Sequence, residues 1–179
     1  RGSLTAPLAE TTDPENEFSL GNPSYHPVQG QGTNTDVPSL ILPYTEESTI
    51  NCTDCHNNNQ GPGAGGVGPN GPHGSLFDPL LERNLVLKDF EPESPAAYAL
   101  CYKCHSRSSI QSETGSFRYH LKHVSEERAS CSTCHDPHGV QNAPHLINFN
   151  TSVEVRNVSA SGNPISTVMM PDRGSANLN

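Results

Sequence analysis

The sequence predicts a chain made mostly of coil and loops, with a few short α-helices and one or two C-terminal strands able to pair as a short β-hairpin, folded around something other than its own side chains. Three observations predict this. Only 32% of the 179 residues are apolar, and there are five Phe, five Tyr and no Trp, which is little for a globular chain of this length. Gly (15) and Pro (16) are abundant alongside many Asn and Ser, a composition that by itself leans toward disorder. Against that, all six Cys fall in three copies of one pentapeptide: Cys52-Thr-Asp-Cys55-His56, Cys101-Tyr-Lys-Cys104-His105 and Cys131-Ser-Thr-Cys134-His135.

The pentapeptide is the C-x-x-C-H signature of c-type haem attachment. Two thiols, Cys52/Cys55, Cys101/Cys104 and Cys131/Cys134, would each bond one porphyrin edge, and His56, His105 and His135 would reach the irons as proximal ligands. His is about one residue in twenty here, so its falling after all three Cys pairs by accident is on the order of one in several thousand. A zinc ribbon uses two CxxC pairs for one tetrahedral metal and needs no His directly after either. A disulfide framework accommodates six Cys and leaves the histidines unexplained. Three haem c groups therefore head the cofactor expectation and fill the missing core with flat apolar surface. The apo chain is then expected to be unfolded.

Charge and hydropathy narrow the function. Ten Lys and Arg against 19 Asp and Glu give a net charge of −9, the opposite of a nucleic-acid-binding face. Such a balance suits a basic redox partner or surface. The longest apolar runs, such as Leu40-Ile-Leu and Val168-Met-Met, are far too short to span a membrane. The chain begins Arg1-Gly-Ser with no initiator Met or signal peptide, reading as a mature or excised product. Covalent c-type haem is normally installed outside the cytoplasm, which predicts a periplasmic or extracellular home.

The chain divides into an extended N-terminal arm (1–50), a trihaem core (51–145) and a C-terminal strand-like segment and tail (146–179). The arm lacks Cys and is dense in turn formers, including Asn22-Pro-Ser and Gly30-Gln-Gly. In the core, Asn57 to Gly66 is a Gly-rich loop. Asp78-Pro79 is an N-cap and N1 pair for a short helix through Leu80, Leu81 and Leu85. Ser94-Pro95 repeats that signal, predicting a helix over Ala96–His105, and Ser116 would cap a third through Phe117–His123. From Leu146, Ile147, Phe149, Val153, Val155 and Val158 partly alternate, as strands do. Pro-His-Gly recurs after the first and third motifs, at Pro72–Gly74 and Pro137–Gly139, a short internal repeat. Asn51-Cys-Thr, Asn150-Thr-Ser and Asn157-Val-Ser fit an N-glycosylation pattern that carries little weight in a prokaryotic chain.

Six further histidines compete for three distal seats. His73 and His138 share the Pro-His-Gly setting, where Pro stiffens the turn and Gly lets backbone approach a flat ligand. His26, in Ser24-Tyr-His-Pro-Val, is alone in the arm, and His120 and His123 lie three apart on one helix face. His145 is a loop residue with the least support, and Met169 and Met170 offer thioethers in the tail. Two imidazoles on each iron leave no open position, so this surplus favours electron transfer over catalysis.

With these motifs in view the chain resembles the multihaem c-type cytochromes of metal-reducing and sulfate-reducing microbes. Phe117-Arg-Tyr-His120-Leu-Lys-His123 before the third motif is similar to small periplasmic tri- and tetrahaem cytochromes, in which the two His of H-x-x-H cap different haems. Here the helix lies farther from the motif, leaving the assignment of each His open. The third motif with Asp136-Pro-His138-Gly, together with Gly71-Pro-His73-Gly-Ser and Ser24-Tyr-His26-Pro-Val, more closely resembles the doubled-CxxCH cytochromes of iron reducers over about residues 20–155. The resemblance implies a multihaem cytochrome c fold. Some relatives assemble into extracellular filaments in which an N-terminal His ligates the next subunit's haem, and the arm bearing His26 fits that arrangement. Copies of the chain head to tail are then the implied partners, with redox proteins or extracellular acceptors beyond them.

The expected function is electron transfer through three bis-His c haems, as the subunit of an extracellular conduit or as a soluble periplasmic shuttle. A haem reductase with one open iron is the enzymatic alternative, with Lys103 and Arg107 beside the second motif as its substrate-polarising groups. A haem module cut from a longer porin-associated cytochrome is a third reading.

Overall fold

A computed structural model describes residues 13–115 and 117–149, and the backbone of 155–158 and 164–168. Regular structure is sparse. In order come α1 (Pro14–Glu17), β1 (Ser24–Tyr25), α2 (Arg107–Ile110), α3 (Cys131–Cys134), β2 (Gly139–Val140), β3 (Val155–Val158) and β4 (Pro164–Val168), with 3₁₀ turns at Cys52–Asp54, Pro62–Ala64 and Cys101–Lys103 and a π-helical turn at Leu121–Glu126. β1 and β2 pair antiparallel, Ser24 opposite Val140 and Tyr25 opposite Gly139. β3 and β4 form an antiparallel hairpin with a register shift between Asn157 and Val158. No helix among the described residues is long and apolar enough to cross a membrane.

The polypeptide's own core is small, as the composition requires. Nine buried polar or charged residues outnumber six buried apolar ones among those described, so side-chain hydrophobicity alone does not organise the chain. Among the described residues the apolar cluster joins Ala97, Tyr98 and Val124 to Leu85, Val86, Tyr102 and Cys131, tying the second CxxCH motif to the third. Asp89 adds a polar tie, its Oδ1 accepting from Ser130 N at 2.8 Å and Thr133 Oγ1 at 2.6 Å at the start of α3.

Residues 13–50 are not a detached arm. α1 starts as its sequence dictates, with Asp13 accepting from Glu15 N and Pro14 in the first turn. Ser24 then donates through Oγ to Ala143 O and accepts from Leu146 N, so the N-terminal strap is sewn to the far end of the core.

Two expected helices are replaced by other structure. Over Asp78–Leu85, Leu80 takes a left-handed φ of 62°, Leu81 N donates to Phe77 O, and Glu82 N is drawn to Cys55 O, so the segment becomes a strap across the first motif. Ser94 does cap as expected, accepting Ala97 N at Oγ. Beyond it, however, Ala97 O accepts from Val86 N and Leu100 N donates to Asn84 O, and these bonds to a neighbouring segment break up the helical ladder. The chain runs as turns into a single 3₁₀ turn at Cys101–Lys103. The Ser116 cap lies outside the described residues, as do Met169 and Met170.

Candidate functional site

The three pentapeptides share one local geometry. In each, the His N–H donates to the carbonyl of the first Cys: His56 to Cys52 (2.8 Å), His105 to Cys101 (3.0 Å) and His135 to Cys131 (3.0 Å). No disulfide joins any of the six Cys. A one-turn loop with both sulfurs unbonded and the His at its end is what two-point attachment plus axial ligation demands.

Each motif is also held by a strap that pattern reading misses. The backbones of His56, His105 and His135 form isolated antiparallel bridges to Leu81, Leu40 and Ile147. In every case the next strap residue donates to the carbonyl of the second Cys: Glu82 to Cys55 (2.8 Å), Ile41 to Cys104 (2.9 Å) and Asn148 to Cys134 (2.8 Å). The same strap, one or two residues earlier, meets the His ring: Nδ1 lies 2.9 Å from Pro79 O for His56, 2.9 Å from Ser39 Oγ for His105 and 3.0 Å from His145 O for His135. A carbonyl can only accept, so Nδ1 of His56 and His135 carries the proton and Nε2 is left as the basic nitrogen.

Each proximal-type histidine has a second histidine beside it. Ring centres are 6.2 Å apart for His56 and His138, 6.4 Å for His105 and His26, and 6.2 Å for His135 and His120. Two imidazoles bound at about 2 Å on opposite sides of one metal ion place their ring centres about 6 Å apart. Two of the partners are similarly prepared. His26 Nδ1 donates to Pro137 O (2.5 Å) and His138 Nδ1 to Glu17 Oε2 (2.7 Å), again leaving Nε2 as the coordinating nitrogen. The β1–β2 ladder presents this pair together, His26 N donating to His138 O at 2.9 Å just past its end.

Electrostatics favour the neutral, ligating form of several rings. Desolvation, with His26 and His135 nearby, pushes His105 down to about 4. Desolvation likewise lowers His26, His120 and His135. Burial pushes the Cys55 thiol up to about 11 and also raises Cys104 and Cys134. The Cys101 and Cys131 thiols interact with each other, which pushes Cys101 down and Cys131 up.

The other distal candidates lie elsewhere. His73 is exposed: its N–H closes a tight turn onto Gly71 O and its ring lies against Gly71, so the Pro-His-Gly it shares with His138 does not bring it to a proximal histidine. His123 is exposed and packs on Phe117 and Tyr119, while His120 is the member of the pair that lies beside His135. His145 contributes its carbonyl rather than its ring. Lys103 is bound to Glu82 at 3.0 Å, and Arg107 to Glu93 through Nε (2.9 Å) and Nη2 (2.5 Å), so both cations are engaged in ion pairs. The Arg107 guanidinium first, then the Tyr102 hydroxyl, hold the Glu93 carboxyl below its ordinary range.

The donor set discriminates among bound groups. Among the described residues the only clustered set of three metal-type ligands is Glu17, Asp136 and His138, so the sulfurs are not gathered into a zinc cage. Cysteine pairs at ligation-ready histidines, and histidine pairs at the spacing of one intervening metal, fit haem c. Comparison with protein-family models, curated proteins and solved structures found no match for this chain.

Proposed function

We propose that the chain is an electron-transfer protein holding three covalently attached c-type haems, each closed by two histidines: His56 with His138, His105 with His26, and His135 with His120. The carrying observation is that every CxxCH histidine has one further histidine at about the separation of two imidazoles on one iron. When bound, each haem supplies a one-electron iron couple. The chain supplies the rest. The straps Leu40–Ile41, Leu81–Glu82 and Ile147–Asn148 fix each motif, the carbonyl and carboxylate acceptors fix the tautomers of His26, His56, His135 and His138, and the paired rings leave no seat for substrate. The engagement of Lys103 and Arg107 by Glu82 and Glu93 further disfavours the reductase reading.

Covalent haem of this type places the protein outside the cytoplasm in this reading. His26 sits beside His105 of its own chain, which supports a self-closed carrier. A second reading, head-to-tail assembly, draws on the N-terminal strap itself. Its bonds run to residues more than 100 positions away, at Ala143 and Leu146, and exchanging that strap between copies would reproduce each bond between chains.

Mass spectrometry of protein made in a host that matures c-type cytochromes tests both points. Under denaturing conditions the chain should retain three haems with no thiol left to alkylate, and under native conditions the mass should be that of one copy. A chain without bound haem, or with free thiols, would refute the proposal, and a ladder of multiples would move assembly ahead of the self-closed form.

A further inference from the structure

One axial histidine differs from the others in what its outer nitrogen meets. His26, His56 and His135 face neutral backbone carbonyls and His105 faces a hydroxyl, whereas His138 Nδ1 lies 2.7 Å from the Glu17 carboxylate. Glu17 is 4% exposed and closes α1. Its backbone is pinned on several sides. Glu17 N donates to Asp13 O at 3.3 Å and Asn22 Nδ2 donates to Glu17 O at 2.8 Å. Gly139 passes so close that a Cβ there would lie 1.9 Å from Glu17 O. A second carboxylate, Asp136, is 1% exposed and accepts His138 N at 3.0 Å, and its ligand atom falls within 4.8 Å of those of Glu17 and His138.

A carboxylate accepting the outer N–H of a metal-bound imidazole draws that proton toward itself and makes Nε2 a stronger donor. A stronger axial donor, with buried negative charge beside it, favours the ferric state and lowers the reduction potential. The neutral acceptors at His26, His56, His105 and His135 lack this effect. Resting on the haem reading above, we propose that Glu17 is a positioning residue that acts through His138 to make the haem of the first motif the lowest in potential of the three. That haem fills last and empties first, so electrons entering there run downhill toward the second and third motifs. The Gly139 contact and the Asn22 bond then serve to hold one carboxylate on one ring.

The test is a potentiometric titration of the trihaem chain, monitored by visible absorption, with the native sequence and with Glu17→Gln and Glu17→Asp. Haem content is measured first. In Glu17→Gln the lowest of the three midpoint potentials should rise by a tenfold change in the oxidised-to-reduced ratio, ~59 mV for one electron. The other two should hold, and Glu17→Asp should recover most of the shift. Equal movement of all three, or of none, would overturn the assignment while leaving three haems in place, and a chain lacking haem would overturn the haem reading as well. Should Glu17→Gln fail to mature, the native protein decides. In a reductive titration followed by NMR, the shifted ring signals of His138 should be the last to change, and their changing before those of His26 or His120 would refute the proposal.

Discussion

Replacing His26 by Ala in the haem-loaded chain is expected to open one haem of three. Carbon monoxide should then bind to about one third of the reduced haem, because a lost imidazole leaves one iron five-coordinate. His138→Ala and His120→Ala should each do the same at the first and third motifs. The three differ in side effects. His26 belongs to the strap that is bonded at Pro137 and His138, so its loss should also loosen residues 24–28, read as faster amide exchange there. His120 sits at the start of the π-helical turn and packs on Phe117. The controls are as informative: His73→Ala, His123→Ala and His145→Ala should leave carbon monoxide binding at its native level, since the first two rings are exposed and unpaired with a proximal histidine and the third acts through its carbonyl. Carbon monoxide binding after His73→Ala but not after His138→Ala would exchange their roles.

The second large effect concerns folding. With all six Cys changed to Ala, no haem can be attached, and the chain should lose its cooperative unfolding transition altogether. Only six apolar residues are buried among those described, and the single cluster around Tyr98 spans just the second and third motifs. Burial on that scale cannot offset the roughly 1–2 kcal/mol of backbone entropy lost for each residue ordered. Haem binding free energy is then folding free energy, as for small metal-dependent domains. Far-ultraviolet circular dichroism and amide exchange should show an unfolded chain, and a cooperative melt in the haem-free variant would show that the polypeptide carries its own fold.

Spacing made the three CxxCH pentapeptides legible, because the proposed attachment chemistry requires their Cys and His in adjacent positions. The distal histidines are a matter of three-dimensional placement, and short motifs carry that weakly. His73 and His138 share Pro-His-Gly, yet one turns back on Gly71 and the other is held by its neighbour Asp136 and by Glu17 from a distant part of the chain. His120 and His123 are equivalent on a helix until Tyr119 stacks on His123 and His120 lies beside His135, Phe117 touching both rings. The straps were hidden for a different reason. Their bonds are backbone bonds that any residue can make, and the strap of the second motif precedes it while the other two follow. Helix signals at Asp78-Pro79 and Ser94-Pro95 spoke for local propensity, and strap formation at Leu81–Glu82 and the Val86–Ala97 bond overrode it.

The most direct measurement is the visible absorption spectrum of the dithionite-reduced, haem-loaded protein before and after carbon monoxide. Three histidine-paired irons predict a low-spin spectrum that carbon monoxide leaves unchanged. A shifted Soret band on any fraction of the haem would contradict complete pairing, reveal an open iron and bring the reductase reading forward.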